Sequence, residues 1–509
     1  MTAALPVGAD AEVMRGMATL VHGRSLLTGR LDLPEIPDGG LIIEGAIITE
    51  VGSAPELRRR HSPVIEIGGH DRFVLPGLAS AHQHGGGVSS VLLGCPDQPF
   101  ERWMIKMLGV SPLDTHLDTL YHAARLIENG ITTTLHSHYT RDPTRYGEEV
   151  EDHLRAWAQS GMRVAFAPCF LNNNHFVYES NAGFLASLPA GLAAQATRLL
   201  DLGPDITSYL DLVRDLRKRF DGSDRERVLL GPVAPQWCTK SALERMAADG
   251  DPAAGVHAHL LESPAQRHHL DAWLGGSVVD WLDQLGFLSP AASFAHGVWL
   301  RPAEMSVLAD RGATIVHNPG SNLRVRNGIA PVLAMREAGI PIALGTDDMT
   351  LNDNNDLLAE ARLAGVLTGL SGPSLAPSDL LHMATARGAA AAGFGETTGQ
   401  LAAGMRADVV LVDAARIAEP ATSADLPAGD LVVARGVGAD VRTVLIDGKV
   451  VFDGGAHTWV DRDAMVAELR DIALSQQADA RWREMAKFAQ QLARAFDGFP
   501  RRAFDPLTR

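Results

Sequence analysis

The chain has 509 residues, 46% hydrophobic and 21% charged, a globular mix that excludes a disordered or fibrous protein. Its 45 Lys and Arg against 61 Asp and Glu leave a net charge of −16, which argues against general binding of nucleic acid or anionic membrane. The length allows about three domains, or one α/β barrel of about 250 residues with additions.

The opening MTAALPVGADAEVMRGM lacks a basic segment followed by a long apolar run. No stretch of about 18 uninterrupted apolar residues occurs later either, so the expectation is a soluble, cytoplasmic protein without a membrane span. Residues 1–74 read as the first part of a small β domain. ATLVHGRSLLTG, GLIIEGAIITEVG and PVIEIGG are β-branched runs separated by Gly, Asp and Pro.

From 75 to 401 the texture changes. Short apolar runs such as ITTTLHSH, RVAFAPCF, VLLGPVAPQ, GVHAHLLE, ASFAHGVWL, ATIVHNPG and IPIALGTDD alternate with helical patterns. The helical segments LDTLYHAARLIENG, EDHLRAWAQSG, AEMSVLADRG and APVLAMREAG each end in Gly, a helix stop. About eight such units predict parallel βα repeats closing into a (β/α)₈ TIM barrel. Residues 402–457 return to β texture in RADVVLVD and VRTVLIDGKVVFDGG, and residues 458–509 form a helical tail with a basic, Pro-containing end. The expected fold is thus α/β: a barrel with a small β-sandwich built from the N- and C-terminal segments. Cys95, Cys169 and Cys238 are far apart and form no CxxC pair, which excludes a disulfide scaffold and a cysteine zinc knuckle.

Histidine is the informative residue, with 19 copies. In a barrel the C-terminal strand ends form the active face. His82 and His84 follow FVLPGLASA, and residues i and i+2 of a strand share a face. Both imidazoles can therefore hold one metal ion. A second HxH contains His257 and His259. His259, with Glu262 three residues on, reads as a third ligand beside a general acid/base, and His257 as structural. Asp347 in LGTDD completes a His₃Asp set with one open position. Asp348 fits a turn or cap. His296 in AHGVWL is expected to orient the nucleophile or the substrate. ITTTLHSH and RVAFAPCF carry no lysine, so the expectation is one divalent ion rather than a lysine-bridged pair. Zinc is the default and Fe²⁺ the alternative.

PGLxxxHxH, HxHLLE, AHGVWL, HNPGSN, GIAP, LGTDD and MATARGAAAAGFGETTGQLAAGMRADVVLVD together resemble the amidohydrolase superfamily. The resemblance spans residues 18–457 and is strongest to the branch of triazine hydrolases and guanine, cytosine and S-adenosylhomocysteine deaminases. It implies one metal held by His82, His84, His259 and Asp347, Glu262 as proton shuttle, and His296 behind the metal. Two departures stand out: Ser80 where many members have Asp or Asn, and Asp348 where many have Gly.

Further pocket residues are read from their positions. Trp103 either stacks on a ring or packs as core. His136 and His138 point into the mouth. Gln236 can read a ring edge. His317 and Asn322 shape the pocket or hold their loop. Cys238 is not expected to be a nucleophile.

The implied activity is aminohydrolysis of an amino-substituted N-heterocycle, in which a metal-bound hydroxide attacks carbon and ammonia leaves. Asp347 takes the water proton, Glu262 protonates the ring nitrogen or the leaving group, and His296 holds the hydroxide. The alternatives are hydrolysis of an amide, urea or chloro-triazine bond, and a non-catalytic scaffold, which the intact ligand set disfavours. The partner is a small molecule, neither nucleic acid nor membrane. The tail, through Phe488, Leu492 and Phe496, is expected to reach across a second copy in a homodimer or larger assembly.

Overall fold

The computed structural model describes residues 18–498 apart from 141, 179, 180, 201, 348–352, 422 and 424. Asp348, the opening segment and the basic end of the tail therefore lie outside the described residues.

The β-branched runs at both chain ends form one sheet. From the first segment come β1 (Thr19–Leu27), β2 (Glu35–Pro37), β3 (Gly39–Glu44), β4 (Ile47–Ser53) and β5 (Ile65–Pro76). The alternation of β5 is informative. Its first half alternates partly buried and exposed, whereas Phe73–Pro76 is wholly buried, because that half lies between β1 and β16 (Val409–Asp413). β17 (Val441–Ile446), β18 (Lys449–Asp453) and β19 (Ala456–His457) continue from β16.

Both chain ends thus build one extra β domain beside the parallel strands. Hydrogen bonding runs as one nine-stranded path, β19-β18-β17-β16-β5-β1-β3-β4 with β2 on β1. The end strand β4 comes back to the segment before β16, where Ile48 N donates to Met405 O at 2.9 Å. Val21, Leu41, Ile43, Val409, Leu411 and Leu445 pack together in the fold of this sheet.

The middle of the chain supplies parallel strands. β6 (Leu78–Gln83), β7 (Ile131–Ser137), β8 (Arg163–Ala167) and β10 (Glu226–Val228) form one four-stranded sheet, in that order. β9 (Cys169–Phe170) and β11 (Gly231–Pro232) pair with each other and prolong β8 and β10. Pro168, which has no N–H to give a ladder, separates β8 from β9. β12 (Val256–Leu260), β13 (Ala292–His296), β14 (Thr314–His317) and β15 (Ile342–Leu344) form the other four-stranded parallel sheet.

Single hydrogen bonds join these groups. His257 N donates to Leu230 O and His259 N to Val233 O, both at 2.9 Å, and Asp347 N donates to His82 O at 3.0 Å. Apart from β10, where Glu226 and Arg227 are half-buried, these parallel strands are buried, as expected where both faces are covered. The four predicted helices are present as Thr115–Glu128, Tyr146–Ser160, Pro302–Arg311 and Val332–Glu337.

Arg163 at the start of β8 is fully buried and donates to Asp408, just before β16, and Asp447, just after β17. Asp447 also accepts from Arg225 Nη2 at 2.7 Å. This network ties the parallel strands to the flanking sheet. Among the described residues no helix is long and apolar enough to cross a membrane.

The tail differs from expectation. It forms helices Arg462–Ala478 and Ala480–Gly498. Phe488, Leu492 and Phe496 are 5%, 0% and 3% exposed and pack against Ile105, Phe176 and Phe184 of the same chain. Arg102 Nε meets Asp497 Oδ2 at 2.9 Å. The apolar face that suggested contact with a second copy is thus buried within its own chain.

Candidate metal and active site

The polar side chains at the C-terminal ends of β6, β12, β13 and β15 converge. His82 and His84 follow the i, i+2 rule at the end of β6, His259 is the fourth residue of β12, and His296 ends β13. Asp347 follows β15 by three residues. His296 and Asp347 both sit at positive φ, 76° and 58°, a left-handed backbone that is uncommon for non-glycine residues.

Each imidazole is anchored through Nδ1 and turns Nε2 inward. His82 Nδ1 meets His257 Nε2 at 2.8 Å, and His257 Nδ1 meets Ser293 Oγ at 2.7 Å. His84 Nδ1 and His259 Nδ1 each donate to a backbone carbonyl, of Ser137 and Val233, at 2.7 Å. His296 Nδ1 donates to Asn322 Oδ1 at 2.8 Å. On the inner side, Asp347 Oδ1 lies 3.4 Å from Nε2 of both His82 and His84, and His259 Nε2 lies 3.3 Å from His84 Nε2. Asp347 Oδ2 accepts from Ser321 Oγ at 2.6 Å.

Buried polar atoms ordinarily have partners, yet His82 Nε2, His296 Nε2 and Asp347 Oδ1 are buried with no hydrogen bond. Two overlapping groups, His82–His259–His296 and His82–His84–Asp347, have ligand atoms close enough to hold one ion. Imidazole nitrogens plus one carboxylate, each oriented by an outer hydrogen bond, fit a divalent metal such as zinc.

Electrostatics separates the two carboxylates. Burial pushes Asp347 up, but the imidazoles of His82 and His84 hold it well below the usual carboxylate range. Glu262 is raised well above its ordinary value by burial, then by the charges of Asp347 and Glu101. Asn327 Nδ2 donates to Glu262 Oε1 at 2.7 Å, and that oxygen lies 3.9 Å from His296 Nε2. Burial lowers His82 to about 4, so this histidine is neutral near pH 7, the form that ligates.

A pocket above the cluster is lined by His84, Glu262, His296 and Asp347 together with Trp103, His138 and Trp237. Of the expected pocket residues, Trp103 and His138 are therefore at its wall. Asn322, His317 and Gln236 stand behind it. Asn322 holds His296, His317 is buried at the end of β14, and Gln236 is fully buried with both amide atoms unpartnered. His136 accepts from Trp157 Nε1 at 2.9 Å and lies under Gly85. A Cβ at Gly85 would come within 2.4 Å of its ring, so only glycine lets the chain after His84 pass so close.

Burial pushes the Cys238 thiol up, consistent with an inert cysteine. Ser80, the first departure, accepts from Thr346 N at 3.1 Å and ties β6 to the residue before Asp347. Sequence reasoning missed Ser321, Asn327 and Gln266, which hold the two carboxylates. It read His257 as structural, and the signal for its support of His82 was the second HxH itself.

With this geometry in place, comparison with known proteins identifies the class. Residues 73–451 match the Amidohydrolase family, and the chain belongs to that family of hydrolases. It is 28% identical over 464 residues to a 5′-deoxyadenosine deaminase of Methanosarcina acetivorans, covering 89% of this chain and 97% of that one. It is 30% identical over 453 residues to a 5-methylthioadenosine/S-adenosylhomocysteine deaminase of Syntrophomonas wolfei, covering 86% and 94%. In three dimensions it is similar to an adenosine deaminase from Xanthomonas campestris solved with bound zinc, with a TM-score of 0.78, 21% identity, and 91% and 99% of the two chains covered.

Proposed function

We propose that this amidohydrolase is a deaminase of an amino-substituted N-heterocycle, with an adenosine derivative as the leading substrate. The observation that carries the reading is the inward convergence of His82, His84, His259 and Asp347 with Glu262 beside them. The substrate is suggested by the names of the two sequence relatives given above, both deaminases of adenine nucleosides.

In this reading the four residues hold one divalent ion, zinc by default, which supplies a Lewis acid and lowers the pKa of water towards neutrality. Asp347, kept ionised by the imidazoles around it, accepts the proton of the attacking water. Glu262, whose carboxyl is raised well above its ordinary value by burial and by the charges of Asp347 and Glu101, delivers a proton to the departing nitrogen through Oε1 or Oε2. His296, fixed by Asn322, orients the nucleophile from Nε2. Trp103 and His138 contact the ring. Gln236, His317 and Asn322 act from behind the pocket wall.

The proposal also includes closure of the eight parallel strand positions into a (β/α)₈ barrel, supported by the bond from Asp347 N to His82 O. It divides the chain into 1–74 and 402–457 for the flanking domain, 75–401 for the barrel, and 458–509 for the tail. A cytoplasmic location fits three buried cysteines that form no disulfide among the described residues. Self-association as a homodimer rests on the resemblance alone; a monomer by light scattering at micromolar concentration refutes it.

The function is tested by assaying amino-purines, adenine nucleosides, pterins, pyrimidines and triazines for ammonia release, with metal analysis on the same preparation. Ammonia from an adenine nucleoside and one metal per chain is the expected result. Chloride release from a triazine, or no ammonia from any substrate, refutes the reading.

A further inference from the structure

The space outside the metal cluster is far larger than one heterocycle requires. Beyond the inner pocket, and sharing Phe100, Met104, Tyr139 and Trp237 with it, lies a cavity of about 1030 Å³. That is the upper end of the range for whole small-molecule sites. Trp482, Met485 and Phe496, all on the C-terminal helix Ala480–Gly498, line it.

The helix is built into this place. Its buried face, Phe488, Leu492 and Phe496, packs against Ile105 and Phe176. It also crosses the backbone at Gly109 so closely that a Cβ there would lie 2.8 Å from Ala489 Cβ. The helix it grips, Phe100–Met107, carries Trp103 into the inner pocket and Phe100 and Met104 into both compartments. Trp482 and Met485 are only half-buried, unlike Phe488 and Leu492. They have apolar surface left for something other than the chain itself.

We infer that the C-terminal helix is a wall of the substrate cavity, and that the substrate carries on its heterocycle a substituent long enough to reach Trp482 and Met485. This rests on the proposed deaminase reading and narrows it: the substrate is an adenine nucleoside extended at its sugar end rather than a free base. A short nucleoside fills only the inner pocket and its margin. Truncating Trp482 or Met485 removes contacts made alike with substrate and transition state, so it weakens binding of the long substrate without touching the reacting atoms.

The test measures dissociation constants on the zinc-loaded protein carrying Glu262→Gln, which binds without turnover. The probes are 5′-deoxyadenosine, whose 5′ end is a methyl group, and S-adenosylhomocysteine, whose 5′ end carries a thioether-linked amino acid. Trp482→Ala and Met485→Ala are expected to weaken S-adenosylhomocysteine about tenfold or more, the scale of a lost apolar contact. They should change 5′-deoxyadenosine less than about twofold, and Trp482→Phe should recover most of the loss. Thermal melts establish that each variant is folded. Equal weakening of both probes, no change for either, or no binding of S-adenosylhomocysteine overturns the inference. Failure of the deaminase reading is seen separately, as absence of ammonia release by the unaltered enzyme.

Discussion

Replacing Glu262 by Gln separates proton transfer from metal binding. Glu262 is 1% exposed, and its Oε1 accepts from Asn327 while Oε2 lies 3.4 Å from Gln266 Nε2. A Gln in the same rotamer keeps the Asn327 bond if its carbonyl oxygen takes the place of Oε1. Its NH₂ then faces the Gln266 amide, a donor opposite a donor. The original contact is long, so the cost is about 1 kcal/mol, and the fold survives. Metal content should also survive, since the nearest inward nitrogen, His296 Nε2, is 3.9 Å from Oε1 and Glu262 is outside the clustered ligand groups. What disappears is a group able to hold and release a proton. General acid/base catalysis contributes about 10²–10⁴-fold, and a loss of that size in kcat is the expected result. The assay is ammonia release beside metal analysis on one preparation. If the variant loses its metal, Glu262 is a ligand and the assignment is wrong. A rate near that of the unaltered enzyme would show that another group, first of all His296, moves the proton.

Asp347→Asn removes an anionic ligand as well as a base, so metal content and rate should fall together; full metal occupancy would refute its place in the ligand set. His257→Gln leaves every proposed ligand intact but loosens His82, and such outer hydrogen bonds are worth about 10–100-fold in metal affinity. Competition with a chelator reads this, and unchanged affinity removes His257 from the site. Arg163→Met leaves Asp408 buried without its cation, while Asp447 keeps Arg225. Breaking a buried pair in this way costs about 3–5 kcal/mol, to be measured as a shift in the urea midpoint, and a loss under about 1 kcal/mol contradicts the structural role given to Arg163.

Much of the site is legible in sequence because metal chemistry needs few residue types at strand ends. Period 2 places His82 and His84 on one side, and the apolar runs before His259, His296 and Asp347 announce where strands stop. What holds these groups is less legible. Ser321 lies on the short helix Pro319–Arg324 after β14 and Asn327 in the loop beyond it, and nothing in a Ser or Asn reveals which carboxylate it will meet. The division of two strands into β8 with β9 and β10 with β11 depends on local ladder geometry, which Pro168 hints at only for the first. The tail shows the limit most clearly. Phe488, Leu492 and Phe496 at spacings of four define an apolar helix face, but periodicity does not say which surface the face will cover. The partner surface, Ile105, Phe176 and Phe184, comes from segments about 300 residues and more away.

The pairing of β5 with β16 also governs how the chain is made. Pro76 and Val409 are partners in that ladder, 409 − 76 = 333 residues apart. At about 5–20 residues per second, synthesis of the intervening segment takes roughly 15–70 s. Throughout that interval the FVLP half of β5, buried in the finished protein, has an unpaired edge while the parallel strands are being made. An apolar strand with free N–H and C=O groups is a template for the same strand on a neighbouring nascent chain. Solubility during synthesis therefore depends on the last hundred residues, and a chain cut before Val409 keeps that edge open for good.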